Sequence, residues 1–193
     1  MKSPLEVLLS VAEALDELKI PYLVVGSIAS SMFGFSRATN DVDIVADIKI
    51  ENAPRLFAAL KDAFYIDEQA LRRAILNRRS FNAIHFESLF KVDVYLASTD
   101  EFGQQQVKRR RPETLLPDLS RQIYFATPED TILAKLRWYR QGGEVSERQL
   151  TDVRGIIKVQ GARLDLLYLC EWADKLLLRD LLEKALAEAS LEP

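Results

Sequence analysis

The chain has 193 residues, 48% hydrophobic and 28% charged, with a formal net charge of −3. That length supports one or two small domains with their own cores, and the mild acidity argues against a chain that coats nucleic acid through global charge. One cysteine excludes an internal disulfide, one cysteine plus one histidine leave too few ligands for zinc, and no apolar run approaches the ~20 residues of a membrane span.

In chain order, charged Glu6 and Glu13 follow the start closely with no secretory pattern, and the lone Cys170 fits a reducing compartment, so cytoplasm is the expected location. Leu5, Leu8, Leu9, Ala12, Leu15 and Leu18 recur at helical spacing, which predicts an amphipathic helix over 5–19. A short buried strand at 20–25 ends at Gly26, a helix runs from Ser27 to Phe33, and Gly34 closes it. Residues 41–47 alternate acid and apolar as a strand does. Residues 51–63 read as a helix, and 68–79 form a segment rich in arginine and alanine. Strands at 80–87 and 90–96 form a hairpin around Ser88-Leu89. Residues 99–111 are expected to be helical, with Pro112 and Pro117 as breakers, before a strand at 123–126.

At Thr127 the character changes. Thr127-Pro128-Glu129-Asp130 combines an N-cap, a proline at the first helical position and acids in the first turn. Helices are predicted over 128–140, 147–159, 164–176 and 179–189. The expected fold is α+β, a mixed sheet flanked by helices, followed by a small C-terminal helical bundle. The expected division is 1–126 for the α/β domain and 127–193 for the helical domain.

Candidate chemistry rests on three aspartates. Asp41 and Asp43 project to one side of their strand while Val42 and Ile44 turn inward, and Asp93 stands in the same parity to Val92 and Val94. Carboxylates in segments this apolar are costly unless paired or coordinating a metal. If the two strands are neighbours, the three acids converge, a set suited to magnesium shared with substrate phosphates. An Asp-x-Asp alone also occurs on any solvent-facing strand. Gly26-Ser27, between a strand and a helix start, lets backbone N–H groups approach phosphate, although no Gly-Lys-Ser/Thr follows to make a P-loop. Arg37 has two readings, a phosphate ligand or a residue that fixes its loop. Lys108-Arg109-Arg110-Arg111 and Arg72, Arg73, Arg78 and Arg79 are either solvated faces or a track for an RNA backbone. His85, Trp138, Tyr139 and Trp172 read as structural.

Val24-Val25-Gly26-Ser27, Asp41-Val42-Asp43-Ile44-Val45 and Val92-Asp93-Val94 together resemble the nucleotidyltransferase superfamily typified by DNA polymerase β. Within it the chain looks like bacterial AbiEii-type nucleotidyltransferases, whose members include type IV toxins. The resemblance implies Mg2+ or Mn2+ on Asp41, Asp43 and Asp93, and an NTP substrate, ATP among the candidates, held by Gly26, Ser27 and Arg37. It also implies that Lys135 and Asp152, on the helical part, complete the catalytic set, with Lys135 contacting the triphosphate. Read without the family, Lys135 snorkels to water and Asp152 pairs with Arg148 on an exposed helix face. The implied reaction moves a nucleoside monophosphate to an acceptor hydroxyl and releases pyrophosphate. The acceptor that the resemblance implies is RNA, tRNA above all, with a cognate antitoxin or partner protein; the alternatives are a protein or small-molecule acceptor, or a non-catalytic nucleotide- or partner-binding module.

Overall fold

Helix α1 (Pro4–Glu17) starts where the sequence dictates. Ser3 accepts a hydrogen bond from the Glu6 backbone N–H at 3.3 Å, and Glu6 accepts one from the Ser3 N–H at 2.6 Å. This reciprocal cap satisfies two donors that the first turn leaves orphaned. The structure is a computed structural model describing residues 3–39, 41–114 and 121–191. Pro117, expected as a breaker, lies outside the described residues. By packing, the chain divides into two units: Met1–Val25 with Thr39–Phe125, and Gly26–Ala38 with Ala126–Pro193.

In the first unit the strands are β1 (Tyr22–Val25), β2 (Asp41–Ala46), β3 (Phe64–Tyr65), β4 (Ser80–His85), β5 (Lys91–Leu96), β6 (Arg111–Thr114) and β7 (Gln122–Phe125). Among the described residues they form one seven-stranded mixed sheet ordered β3-β4-β5-β2-β1-β7-β6. The hairpin expected around Ser88-Leu89 is present as antiparallel β4–β5. Two elements, β3 and α4 (Glu68–Leu76), fill the stretch that composition alone left unassigned. The expected helix over 51–63 is a 3₁₀ turn at Ile50–Asn52 leading into α3 (Ala53–Leu60). Helix α5 (Glu101–Arg109) ends before Arg111, which opens β6. Proline is tolerated within β6 because this strand lies at the sheet edge.

Every second residue of β2 and β5 (Val42, Ile44, Ala46; Val92, Val94, Leu96) is buried, as are Leu8, Val11 and Leu15 of α1, Leu56 and Leu60 of α3, and Leu71 and Ile75 of α4. The alternate residues of both strands, the acids among them, therefore occupy the other, open face of the sheet. His85 is buried, its Nδ1 2.9 Å from Ser88 Oγ beside the hairpin turn, a structural role as expected.

The second unit comprises α2 (Gly26–Phe33), α6 (Pro128–Gln141), α7 (Glu147–Gln160), α8 (Leu166–Lys175) and α9 (Arg179–Leu191). The start of α6 is as read: the Thr127 side chain accepts from the Asp130 N–H at 3.2 Å. Its first-turn acids are buried and tie α6 to α8. Tyr168 donates its hydroxyl to Asp130 at 2.6 Å, and the Asp165 N–H donates to Glu129 at 3.1 Å. Helix α2 lies tightly on α7: a Cβ added at Gly34 would come 2.8 Å from the Ile156 backbone nitrogen, and Gln160 donates to the Phe33 carbonyl at 2.7 Å. Tyr139 and Trp172 pack inside, but Trp138 is 60% exposed, contrary to the reading that it packs. Adjacent helix positions point about 100° apart, and Tyr139 takes the inward one.

Candidate active site

On the open face of the sheet, β2 and β5 run parallel in a register that sets Asp43 directly beside Asp93 and Asp41 beside Lys91. Neighbouring strands are about 4.8 Å apart, so the Asp43 and Asp93 side chains stand adjacent on one face. Asp41 shares that face one pleat earlier, more exposed than the other two. The same strand pairing places Val25, the residue before Gly26, opposite Asp43. Gly26 itself has φ 64°, a left-handed conformation that a side chain would strain.

A fourth charge sits on this face. Lys91 Nζ lies 2.7 Å from Asp93 Oδ2. The hydrogen bond to Asp93 and the charge of Asp41 hold the Lys91 ammonium pKa above its ordinary value, against the opposing effect of burial. Tyr95, next on the face, has its phenol pushed up by burial and by the negative charges of Asp43 and Asp93. Lys91 carries no expected role in the sequence reading. The signal was present in its i, i+2 spacing from Asp93, which puts both side chains on one face.

The donor set suits magnesium, with carboxylate oxygens on adjacent strands. Among the described residues no group of three or more His, Cys, Asp or Glu side chains is drawn together to hold an ion. Magnesium does not require such a cage. It is ordinarily held by one or two carboxylates, with waters and substrate phosphates filling the remaining positions.

The helical unit holds a second set of charges. Asp152, on α7, accepts from Lys135 Nζ at 2.7 Å and from Arg37 at 3.1 and 3.2 Å. Lys135 also donates to Gln149 at 3.2 Å, and Arg37 donates to the Ser27 hydroxyl. The Lys135 and Asp152 side chains are 8% and 7% exposed. Lys135 therefore does not snorkel to water, and Asp152 is not a member of an exposed surface pair. The Arg37 backbone N–H donates to Ser31 at 3.3 Å, fixing the loop, while its guanidinium joins the charged group. Burial alone would push the Asp152 carboxyl up, but the hydrogen bonds and charges of Arg37 and Lys135 prevail and hold it below the usual carboxylate range. Asp152 thus holds two cations, Lys135 and Arg37, at one carboxylate.

The basic clusters are partly engaged within their own unit. Arg72 pairs with Glu68 at 2.9 Å, Arg78 lies 3.6 Å from Asp47, and the Arg110 guanidinium stacks on Tyr124 at 4.9 Å.

No family model matches the chain, and no curated protein does. Solved structures do. The crystal structure of ANT(2'')-Ia in complex with adenylyl-2''-tobramycin has a TM-score of 0.55 at 15% identity, covering 88% of this chain and 96% of that one. The solution structure of the antibiotic-resistance factor ANT(2'')-Ia gives 0.53 at 14% identity over 95% and 93% of the two chains. An antigenic nucleotidyltransferase-like protein from Paracoccidioides brasiliensis gives 0.51 at 19% identity over 94% and 91%. At these identities the likeness establishes the fold: a mixed sheet flanked by helices, of nucleotidyltransferase type.

Proposed function

We propose that the chain is a nucleotidyltransferase, moving a nucleoside monophosphate from an NTP to an acceptor hydroxyl with release of pyrophosphate. The observation that supports it is the parallel pairing of Asp43 with Asp93, with Asp41 in the same parity, in a fold shared with nucleotidyltransferase structures. Asp41, Asp43 and Asp93 are the residues that would hold Mg2+ or Mn2+. A divalent ion there would neutralise the charge developing on the attacking and leaving oxygens.

Asp93 is assigned the acceptor side, where its carboxylate favours loss of the hydroxyl proton. Lys135 and Arg37 are assigned the triphosphate charge, Ser27 the terminal phosphate, and Asp152 the orientation of the two cations it already binds. Rate enhancement then comes mainly from positioning and charge stabilisation.

Two acceptor classes stand. The AbiEii-type resemblance favours an RNA end, tRNA above all, and a toxin-like role with a cognate antitoxin. A hydroxylated small molecule is favoured by a different observation: ANT(2'')-Ia, which matches nearly end to end, is described in complex with an adenylylated antibiotic. Incubation with each labelled NTP and magnesium, against tRNA, aminoglycosides and cell extract in parallel, separates them. Label on RNA supports the first class and label on the small molecule the second. Failure of every NTP to label anything, with the wild-type chain shown to be folded, refutes the enzyme reading.

A further inference from the structure

Lys91 is a cationic group on the acidic sheet face, and its placement is specific. It stands opposite Asp41 in the β2–β5 register and two residues before Asp93 on the same strand face. Its ammonium lies at 2.7 Å from Asp93, a distance at which that carboxylate oxygen is committed to it. An ion that takes Asp93 through this oxygen competes with it. The pair is able to open: the Lys91 side chain is 42% exposed and that of Asp93 19%. With the Lys91 side chain partly exposed on a flexible four-carbon stem, the pair is held only weakly against water.

We propose that Lys91 is a tethered cation that competes with the divalent ion for Asp93 and so weakens binding of the free metal relative to the metal carried by a nucleotide. The inference rests on the reading of Asp41, Asp43 and Asp93 as metal-binding. In the metal-free chain the ammonium reduces the repulsion that Asp93 feels from the carboxylates beside it. A bare ion displaces Lys91 into water and must overcome the lost pair. A metal arriving on a nucleotide brings phosphate oxygens, which give the freed ammonium a new partner. This makes Lys91 a positioning residue whose effect is on occupancy of the face.

The test is calorimetric titration of Mn2+ into the metal-free full chain at low ionic strength, without nucleotide and again with a non-hydrolysable NTP analogue. Lys91→Met keeps the stem and removes the charge. It should bind Mn2+ about two- to five-fold more tightly, the span an exposed ion pair supports. Lys91→Arg should stay near wild type, and Lys61→Met, which removes the same charge elsewhere on the first unit, should leave Mn2+ affinity unchanged. With the analogue present the advantage of Lys91→Met should shrink or reverse.

Mn2+ affinity in Lys91→Met that is unchanged or weaker, while Asp93→Asn abolishes binding, overturns the competition and leaves the metal reading intact. Mn2+ binding that Asp93→Asn does not alter removes the metal reading itself, and the competition with it. Equal tightening in Lys61→Met would reduce the effect to general charge and overturn the specific role of Lys91.

Discussion

Asp152→Asn probes the buried charges of the helical unit. The substitution keeps the shape and removes a negative charge that faces both Lys135, whose side chain is 8% exposed, and Arg37, whose side chain is 25% exposed. Breaking a buried pair by neutralising one partner costs about 3–5 kcal/mol, because the remaining charge stays desolvated. Here the lower end applies: Gln149 still accepts from Lys135 at 3.2 Å, and the asparagine oxygen still accepts one hydrogen bond. About 3 kcal/mol in a chain of this length corresponds to a loss of roughly 6–12 °C in Tm. Thermal unfolding followed by circular dichroism at pH 7 reads it directly.

The pH dependence supplies an internal control. Asp152's folded pKa is depressed, so the folded state binds this proton less readily than the unfolded chain does. Its contribution is complete above the unfolded carboxylate value of about 3.9 and is lost as pH falls through the lower folded value. The gap in Tm between wild type and Asp152→Asn should therefore hold constant from pH 7 to about pH 5 and narrow below about pH 4. A shift under about 2 °C at pH 7, or a gap that does not narrow in acid, would refute the assignment of Asp152 as the counter-ion of both cations.

Three further outcomes follow from the same geometry. Lys135→Ala should weaken Mg-NTP binding by about 1.5–3 kcal/mol, the range for a lost charged hydrogen bond; calorimetric affinity equal to wild type would remove Lys135 from the triphosphate. Asp43→Asn should abolish transfer while its melting temperature in EDTA stays level or rises slightly, since one charge beside Asp93 is gone; a large fall in Tm with full activity would make the residue structural. Gly34→Ala forces a methyl to 2.8 Å from the Ile156 nitrogen, a backbone atom that cannot turn aside, so denaturant unfolding should register a loss of about 1–3 kcal/mol. Wild-type stability in that variant would refute the tight α2–α7 contact as the reason for glycine at this position.

The sequence alone was enough wherever the controlling interactions are local. The Ser3–Glu6 cap and the Thr127-Pro128-Glu129-Asp130 start lie within one turn of the residues they specify, and both helices begin there. Alternation with buried valines likewise assigned Asp41, Asp43 and Asp93 to a strand face, because side-chain parity needs only the strand itself. Pairing is different in kind. That β2 lies parallel to β5, with Asp43 level with Asp93, depends on how α3, β3, α4 and β4 fold between them, and no residue of either strand encodes that register by itself. The burial of Lys135 was also invisible, since an amphipathic helix offers a lysine both water and a counter-ion. Only the arrival of Asp152 from the next helix, and of Arg37 from 115 residues away in sequence, decided between them. Charges separated this far are brought together by packing, and packing is a property of the folded chain.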